Sequence, residues 1–225
     1  MKTYTFIALV TVGVLSYANA ALSYDFCTVD LALQPDGLHK AALASGGACQ
    51  TGALSPPKYR MVDLKQLVAG SPTIVVATVT KATPVLKDDG RFIFTNYQLD
   101  IIQTIKGDIA KTDMVEIIGG TYTFSDGSVV NWIEDVWKAL RINTTYILFI
   151  KRWEDQPNLF RVVSAGQGIF EITSDSQRLV SYTYLQNDPL KDEAVAGKAA
   201  FLRKVQSIVA DTAVPATGTE AAPAK

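Results

Sequence analysis

Two cysteines are the residues in this chain whose types and positions most directly predict a bond. Cys27 and Cys49 are the only cysteines among 225 residues, and both lie near the amino-terminal end. In an oxidising compartment, a disulfide between them would stabilise this segment by about 3 kcal/mol. Two buried free thiols are one alternative. A zinc site is another, but two cysteines and the sole histidine, His39, fall short of the usual four ligands.

Catalysis by a histidine has one candidate base, His39, in a segment rich in Gly and Ala. A nucleophilic serine needs such a base within hydrogen-bond reach, and an exposed loop histidine is the competing interpretation.

Acidic pairs occur at Asp88-Asp89, Glu134-Asp135 and Glu154-Asp155. Neighbouring acids in turns or at a helix start are typical of solvated or capping groups, whereas hydrolysis by two carboxylates requires that they face each other across a cleft. We therefore predict no catalytic residue, no metal site and no cofactor.

Aromatic side chains are candidates for binding. A face for a sugar or a peptide could be lined by Trp132, Trp137, Trp153, Tyr122, Tyr146 and Phe160. Packing in the core explains the same residues. The sequence Asn143-Thr144-Thr145 matches the acceptor pattern for N-glycosylation, which matters only in a host that has this pathway.

Residues 1–20 have the pattern of a secretory signal peptide. Lys2 supplies a positive start, residues 6–15 form an apolar core, and small residues at Ala18 and Ala20 predict cleavage after Ala20. A membrane anchor is the alternative, but the apolar run is shorter than the roughly 20 residues that span a bilayer, and no basic cluster follows it. We expect a secreted or periplasmic protein that does not insert into a membrane after cleavage.

Composition and pattern divide the rest of the chain into four segments. Residues 21–60 are poor in periodicity, which predicts an irregular extension tied by the disulfide. Residues 61–186 carry the strand patterns of one β domain, residues 187–210 an amphipathic helix, and residues 211–225 a disordered tail rich in Ala, Pro and Thr. The net charge of −1 gives no electrostatic basis for binding nucleic acid.

The elements of the β domain are organised around a hairpin over residues 143–173, with a bend at Gly166-Gln167-Gly168. Other predicted elements are a helix over 61–70, strands over 73–80, 91–105 and 114–118, a small hairpin around Asp126-Gly127, a helix over 132–140 and an edge strand over 178–184. At Ile101-Ile102 the alternation slips by one residue, which predicts a bulge in a long curved strand. These features predict a mainly β fold, a five-stranded closed or nearly closed barrel of OB type. The barrel would have a short helix before strand one, a helix before strand four and a carboxyl-terminal amphipathic helix.

The order of these features resembles the netrin-like domains, the barrel fold of tissue inhibitors of metalloproteinases, and a family of exported bacterial proteins built on the same barrel. The resemblance covers residues 71–173 and is carried by the segments at 71–79, 105–108, 115–120 and 145–150. It implies a secreted interaction module. The inhibitors present a free amino-terminal cysteine to a protease zinc, whereas the predicted cleavage leaves Ala21, so that role is not carried over.

The sequence therefore predicts an exported, non-catalytic module that binds a protein or a glycan. One alternative is a cell-envelope hydrolase, or a hydrolase accessory, that uses carboxylates. A second alternative is a structural protein of the envelope without a discrete site.

Overall fold

The computed structural model describes residues 25–27, 34–52, 61–133, 138–173, 175, 178–183 and 187–213. The predicted signal peptide and residues 214–225 of the predicted tail lie outside these ranges. The described chain is mainly β, with one sheet of seven strands and one of four. The strands are β1 (Asp25–Phe26), β2 (Ala48–Gly52), β3 (Thr73–Lys87), β4 (Phe92–Lys106), β5 (Met114–Ile118), β6 (Gly120–Thr123), β7 (Val129–Ile133), β8 (Thr145–Arg152), β9 (Leu159–Val162), β10 (Ile169–Ile172) and β11 (Leu179–Ser181). The helices are α1 (Gly37–Ala44), α2 (Leu64–Gly70), α3 (Leu190–Val195) and α4 (Lys198–Ala213).

Five strands of the larger sheet are hydrogen-bonded in a closed ring. β3 pairs with β4 and β8, β4 with β5, β5 with β9, and β9 with β8. The predicted hairpin is confirmed as β8 and β9, and its second arm bends at the 3-10 turn Ala165–Gly168 before it continues along β8 as β10. A Cβ at Gly168 would lie 2.4 Å from the carbonyl oxygen of Val163, so only glycine fits this bend. The predicted edge strand is confirmed as β11, which pairs with β10.

The long hairpin of β3 and β4 forms one side of the ring. Its register shifts at three places, and at one of them Val76 pairs with Gln103 while Ala77 pairs with Ile101. Ile102 is therefore the extra residue of a bulge, as the slipped alternation predicts, and it is exposed. The first half of β3 is buried on both faces, because alternate side chains enter two different hydrophobic cores.

The two cores lie on opposite sides of the ring strands. The ring core fills the interior and includes Val75, Val79, Tyr97, Val115, Leu148 and Phe160. The helix-side core lies between the sheet and helices α2 to α4 and includes Leu67, Val76, Phe149, Phe170, Phe201 and Val205. Helix α2 is the predicted helix before the first ring strand. It begins at a capping box in which Asp63 accepts a hydrogen bond from the backbone N–H of Gln66 at 2.8 Å.

The smaller sheet corrects the prediction for residues 21–60. This segment was expected to be irregular, but its described part contains α1, β1 and β2, and β2 pairs in parallel with β7. The predicted disulfide between Cys27 and Cys49 is confirmed. Both cysteines are buried with Leu38 and Trp132 in a third core, the disulfide core. The segment is ordered because it adds to the edge of a distant hairpin, β6 and β7, which is the predicted hairpin around Asp126-Gly127.

The predicted helix over residues 132–140 is wrong in the described part of the chain. Trp132 and Ile133, expected to begin a helix before strand four, end β7, and residues 138–140 have no regular structure. Residues 134–137 lie outside the described ranges. Val130 and Trp132 are buried on one face of β7, so pairing with β2 and β6 overrides a spacing that is also compatible with a helix.

The carboxyl-terminal helix is not continuous. The structure has two helices, α3 and α4, separated at Gly197, which has a φ of 84°. This left-handed conformation ends a helix and is natural only for glycine. Both helices pack on the helix-side core, as expected for an amphipathic segment. Among the described residues, no helix combines the length and the apolar character needed to cross a bilayer.

Candidate functional site

A cavity of about 440 Å³ lies between the ring and the smaller sheet. We call it the inter-sheet cavity. Its walls come from the hairpin of β3 and β4, the junction of β5 and β6, the end of β7 and the segment 138–140. The lining residues are Ala82, Pro84, Thr95, Tyr97, Ile118, Gly119, Gly120, Thr121, Asn131, Trp132, Ile133, Lys138, Ala139 and Leu140.

The junction of β5 and β6 shapes one wall of this cavity. The chain leaves the larger sheet at Gly119 and enters the smaller one at Gly120, with φ values of 108° and 123°. The hydroxyl of Thr95 donates a hydrogen bond to the carbonyl oxygen of Gly119 at 2.6 Å. A Cβ at Gly120 would lie 2.3 Å from the same hydroxyl oxygen, so the two strands approach as closely as they do because glycine lacks that atom. Thr95, the polar interruption in an apolar strand face, thus holds the two sheets together.

Buried tyrosines hold the opposite wall, residues 138–140. The hydroxyl of Tyr182 donates to the carbonyl oxygen of Ala139 at 3.1 Å, and the hydroxyl of Tyr146 accepts from the backbone N–H of Arg141 at 2.9 Å. Tyr97 is hydrogen-bonded to the side chain of Thr95 and to the backbone of Leu140. Burial raises the pKa of Tyr97 and the pKa of Tyr182, because the phenolate would lose its hydration. The phenols of Tyr97 and Tyr182 act as neutral hydrogen-bonding groups that fix the wall.

The described lining of the inter-sheet cavity consists mostly of apolar and uncharged polar residues. Lys138 is the single charged residue among those that line the cavity in the described chain. Thr121 donates a hydrogen bond to the side-chain oxygen of Asn131 at 3.0 Å, so hydroxyl and amide groups face the opening. Trp132 and Tyr97 supply aromatic surface. Such a lining suits a ligand that is neutral or weakly anionic and rich in hydroxyl or amide groups.

His39, the candidate base, takes part in a structural cluster. It lies in α1, half-buried, and its Nε2 is 2.8 Å from a carboxylate oxygen of Asp126. The other oxygen of Asp126 accepts from the hydroxyl of Ser128 at 2.7 Å and from its backbone N–H at 3.0 Å. The carboxylate therefore separates the serine from the histidine, which is the wrong order for activating a nucleophile. The expectation of an exposed loop histidine is also wrong, since His39 stacks on Phe124 at 4.3 Å and ties α1 to the hairpin of β6 and β7.

The acidic pairs do not converge on a cleft in the described structure. Asp88 and Asp89 form the exposed turn between β3 and β4, and both have positive φ. Glu154 and Asp155 are exposed in the connection between β8 and β9. Glu134 and Asp135 lie outside the described ranges. Within the described chain, no group of three or more His, Cys, Asp or Glu residues is placed to hold a metal ion.

The six candidate aromatic residues separate into core and surface positions. Tyr146 and Phe160 are fully buried in the ring core, so core packing explains them. Tyr122 packs edge-on against Phe124. Trp132 lines the inter-sheet cavity, and Trp153 lines a second, smaller pocket. Trp137 lies outside the described residues.

Two further sequence features have defined places. Asn143, the acceptor of the glycosylation pattern, is exposed in the turn before β8. Glu116 and Arg161 are site candidates that the sequence prediction missed, and they lie opposite each other on β5 and β9. The signal that could have identified Glu116 is a charged residue inside the apolar strand Met114–Ile118.

Comparisons with known proteins add no family. No protein-family model matches this chain, and no curated protein matches it either. The cavity and its lining residues are therefore the observations that bear on function.

Proposed function

We propose that this protein is an exported, non-catalytic binding module built on an OB-type barrel, and that its inter-sheet cavity holds a protein or glycan partner. The observation that carries the proposal is the inter-sheet cavity, whose described lining is almost uncharged and bears hydroxyl and amide groups. Rigid walls favour binding, because little freedom is lost when a ligand enters a preformed site.

The pairing order of the ring supports the barrel. β3, β4 and β5 form an antiparallel series, β8 returns beside β3, and β9 joins β5 to β8. Such closure leaves no exposed edge in the ring, which is the property of a small barrel. This order of strands resembles that of the netrin-like domains, and we include a relationship to those domains in the proposal.

Two observations support binding without turnover. The cluster of His39, Asp126 and Ser128 lacks a contact between base and nucleophile. The described acidic pairs lie in exposed turns, away from the inter-sheet cavity. Export would expose the protein to the partners and the oxidising conditions that its disulfide suits.

The test is a cross-linked pull-down from the envelope and medium of the native host, with residues 21–225 as bait and heat-unfolded protein as control. Thr121→Trp places an indole at the rim of the inter-sheet cavity, because Thr121 is exposed and lines it. Thr123→Trp is the matched control, since Thr123 is also exposed on β6, on the same face, but does not line the cavity. We expect one partner that the wild type and Thr123→Trp retain and that Thr121→Trp loses.

Two results would contradict this proposal. Equal retention of the partner by both tryptophan variants would place binding elsewhere on the surface. Turnover of an envelope polymer that disappears when Glu134, Asp135, Glu154 and Asp155 are replaced together, with folding intact, would establish the hydrolase alternative. Amino-terminal sequencing of the exported protein tests the export step, and we expect it to begin at Ala21.

A further inference from the structure

A second pocket, of about 130 Å³, lies beside β4, β5 and β9. We call it the Glu116 pocket. Its lining includes Phe94, Glu116, Trp153 and Arg161, together with apolar residues such as Ile118, Val162 and Ile169. Because side chains alternate along a strand, Phe94 and Glu116 point away from the face that carries Thr95 and Tyr97.

Glu116 is a buried acid with unused hydrogen-bonding capacity. Its side chain is 1% exposed, and one oxygen is paired with the ammonium group of Lys87. Neither carboxylate oxygen accepts a hydrogen bond of ordinary geometry. A buried carboxylate normally accepts several hydrogen bonds, so Glu116 has capacity for a further donor beside Lys87.

Two N–H donors in the same pocket lack acceptors. They are Nε1 of Trp153 and Nε of Arg161, and both atoms are buried. The guanidinium of Arg161 lies over the ring of Trp153, 4.6 Å from its centroid, so the two side chains fix each other. Arg161 pairs with Glu116 in the register of β5 and β9, which brings donors and acceptor to one place. Groups left unpaired in this way are costly unless a ligand or water satisfies them.

The remaining lining restricts the kind of ligand. Ile118, Val162 and Ile169 present methyl groups, so part of the ligand must be apolar. A carboxylate or phosphate would accept from Arg161 but would be repelled by Glu116. Water would form hydrogen bonds with the polar atoms but would gain nothing from the apolar wall. One water molecule also occupies only about 30 Å³ of the pocket.

We propose that the Glu116 pocket binds an N-acetyl group, a secondary acetamide carried by an amino sugar or an acetylated side chain. The amide N–H donates to Glu116, and the amide oxygen accepts from Trp153 and Arg161. The acetyl methyl packs against the isoleucines. The Glu116 pocket shares Ile118 with the inter-sheet cavity, but the two are distinguished by their tryptophans, Trp153 in this pocket and Trp132 in the other.

The test is a titration of the full-length exported protein, disulfide intact, followed by the indole N–H resonances of its tryptophans. The probes are N-methylacetamide, N-acetylglucosamine and the amide of Nε-acetyllysine, with glucose and acetate as controls. Because these groups are small, we expect dissociation constants on the order of millimolar or weaker. The resonance of Trp153 should move in a saturable manner with the acetamides, not with glucose or acetate, and with N-methylacetamide that of Trp132 should not move. N-acetylglucosamine and acetyllysine amide distinguish a glycan source from a peptide source.

Variants connect the response to the proposed contacts. Glu116→Gln and Arg161→Lys should each weaken acetamide binding about tenfold or more, since each removes a hydrogen bond to a charged group. Arg152→Lys is the matched control, because Arg152 lies over Phe160 on the neighbouring strand and does not line this pocket.

An unchanged Trp132 resonance in each variant shows that the fold is intact. If a substituted chain does not fold, Trp153→Phe removes the indole donor while keeping an aromatic ring, and calorimetry should then show weaker binding. No response to N-methylacetamide at about 100 mM, or a response that glucose and acetate reproduce, would overturn the proposal.

Discussion

The hydroxyls of Tyr146 and Tyr182 lie 3.1 Å apart inside the ring core. Through them, the segment that forms one wall of the inter-sheet cavity is attached to β8 and to the chain that follows β11. Their rings meet edge-on at a centroid distance of 5.3 Å, so the pair contributes packing as well as hydrogen bonds. A cavity wall without regular structure is thereby held by two phenols.

Tyr182→Phe should loosen that wall. The substitution removes the donor to the carbonyl oxygen of Ala139 and the partner of Tyr146, while the ring still fills its space. We expect the free energy of unfolding to fall by about 1–2 kcal/mol, measured by urea denaturation. Tyr122→Phe, outside the ring core, is the control and should change stability little. A loss of equal size in both variants would argue against a special role for the buried pair.

Alkaline pH should destabilise the native protein through the buried phenols of Tyr97 and Tyr182. Burial raises the pKa of Tyr97 and of Tyr182 in the folded chain above the ordinary value of 10.0. A group whose pKa is raised by folding leaves stability intact below its unfolded pKa and lowers it as the pH rises further. The free energy of unfolding should therefore fall as the pH rises above 10. Phenolate absorbance measured in parallel should show some tyrosines that ionise only on unfolding, and fewer of them in Tyr182→Phe.

Gly120→Ala should disturb the junction of the two sheets. The φ of 123° is unfavourable for alanine, and the new Cβ would meet the hydroxyl oxygen of Thr95. Gly127→Ala is the matched control, since Gly127 also has a positive φ, 87°, but nothing lies within 4 Å of the added atom. Thermal and urea unfolding should show a cost of about 1–2 kcal/mol for the control and a larger cost for Gly120→Ala. Equal costs would mean that the close approach to Thr95 relaxes freely.

Acid should weaken the contact between α1 and the hairpin of β6 and β7. Hydrogen bonds from Ser128 and from His39 hold the pKa of Asp126 well below its usual value of 3.8. A carboxyl group with a depressed pKa adds stability above its unfolded pKa, and that stability is lost as the pH falls. The melting temperature should therefore drop more steeply between about pH 5 and pH 2 in the wild type than in Asp126→Asn. Parallel curves for the two proteins would show that Asp126 contributes nothing to this dependence.

Local patterns predicted the ring strands well. The slipped alternation at Ile101-Ile102, the bend near Gly168 and the hairpin at Asp126-Gly127 each depend on neighbouring residues, and all three are in the structure. The disulfide was also predictable, because only one pairing exists for two cysteines. A glycine was present at 197, where the predicted carboxyl-terminal helix breaks, and it could have signalled that break.

Long-range pairing was not predictable from these patterns. β2 is ordered by β7, and nothing in the sequence of either strand specifies the other. The same pairing draws Trp132 into a strand, although its spacing to neighbouring apolar residues is also compatible with a helix. The candidate sites depend on such contacts: Thr95 meets Gly119 across two strands, and Glu116 meets Arg161 across two others. Thr95 and Glu116 stand out as polar residues in their own strands, but the residues that they meet are fixed only when the strands pair.

The parallel pairing of β2 with β7 has a consequence for the order of folding. Ala48 is paired with Val129, about 80 residues away along the chain. The hairpins of β3 with β4 and of β8 with β9 close far shorter loops and should form first. The docking of β2 on β7 would then follow these hairpins, as would the closure of the ring by β3 and β8, which are also far apart in the chain. In a refolding experiment, the hairpins of β3 with β4 and of β8 with β9 should become protected against hydrogen exchange before β2 does.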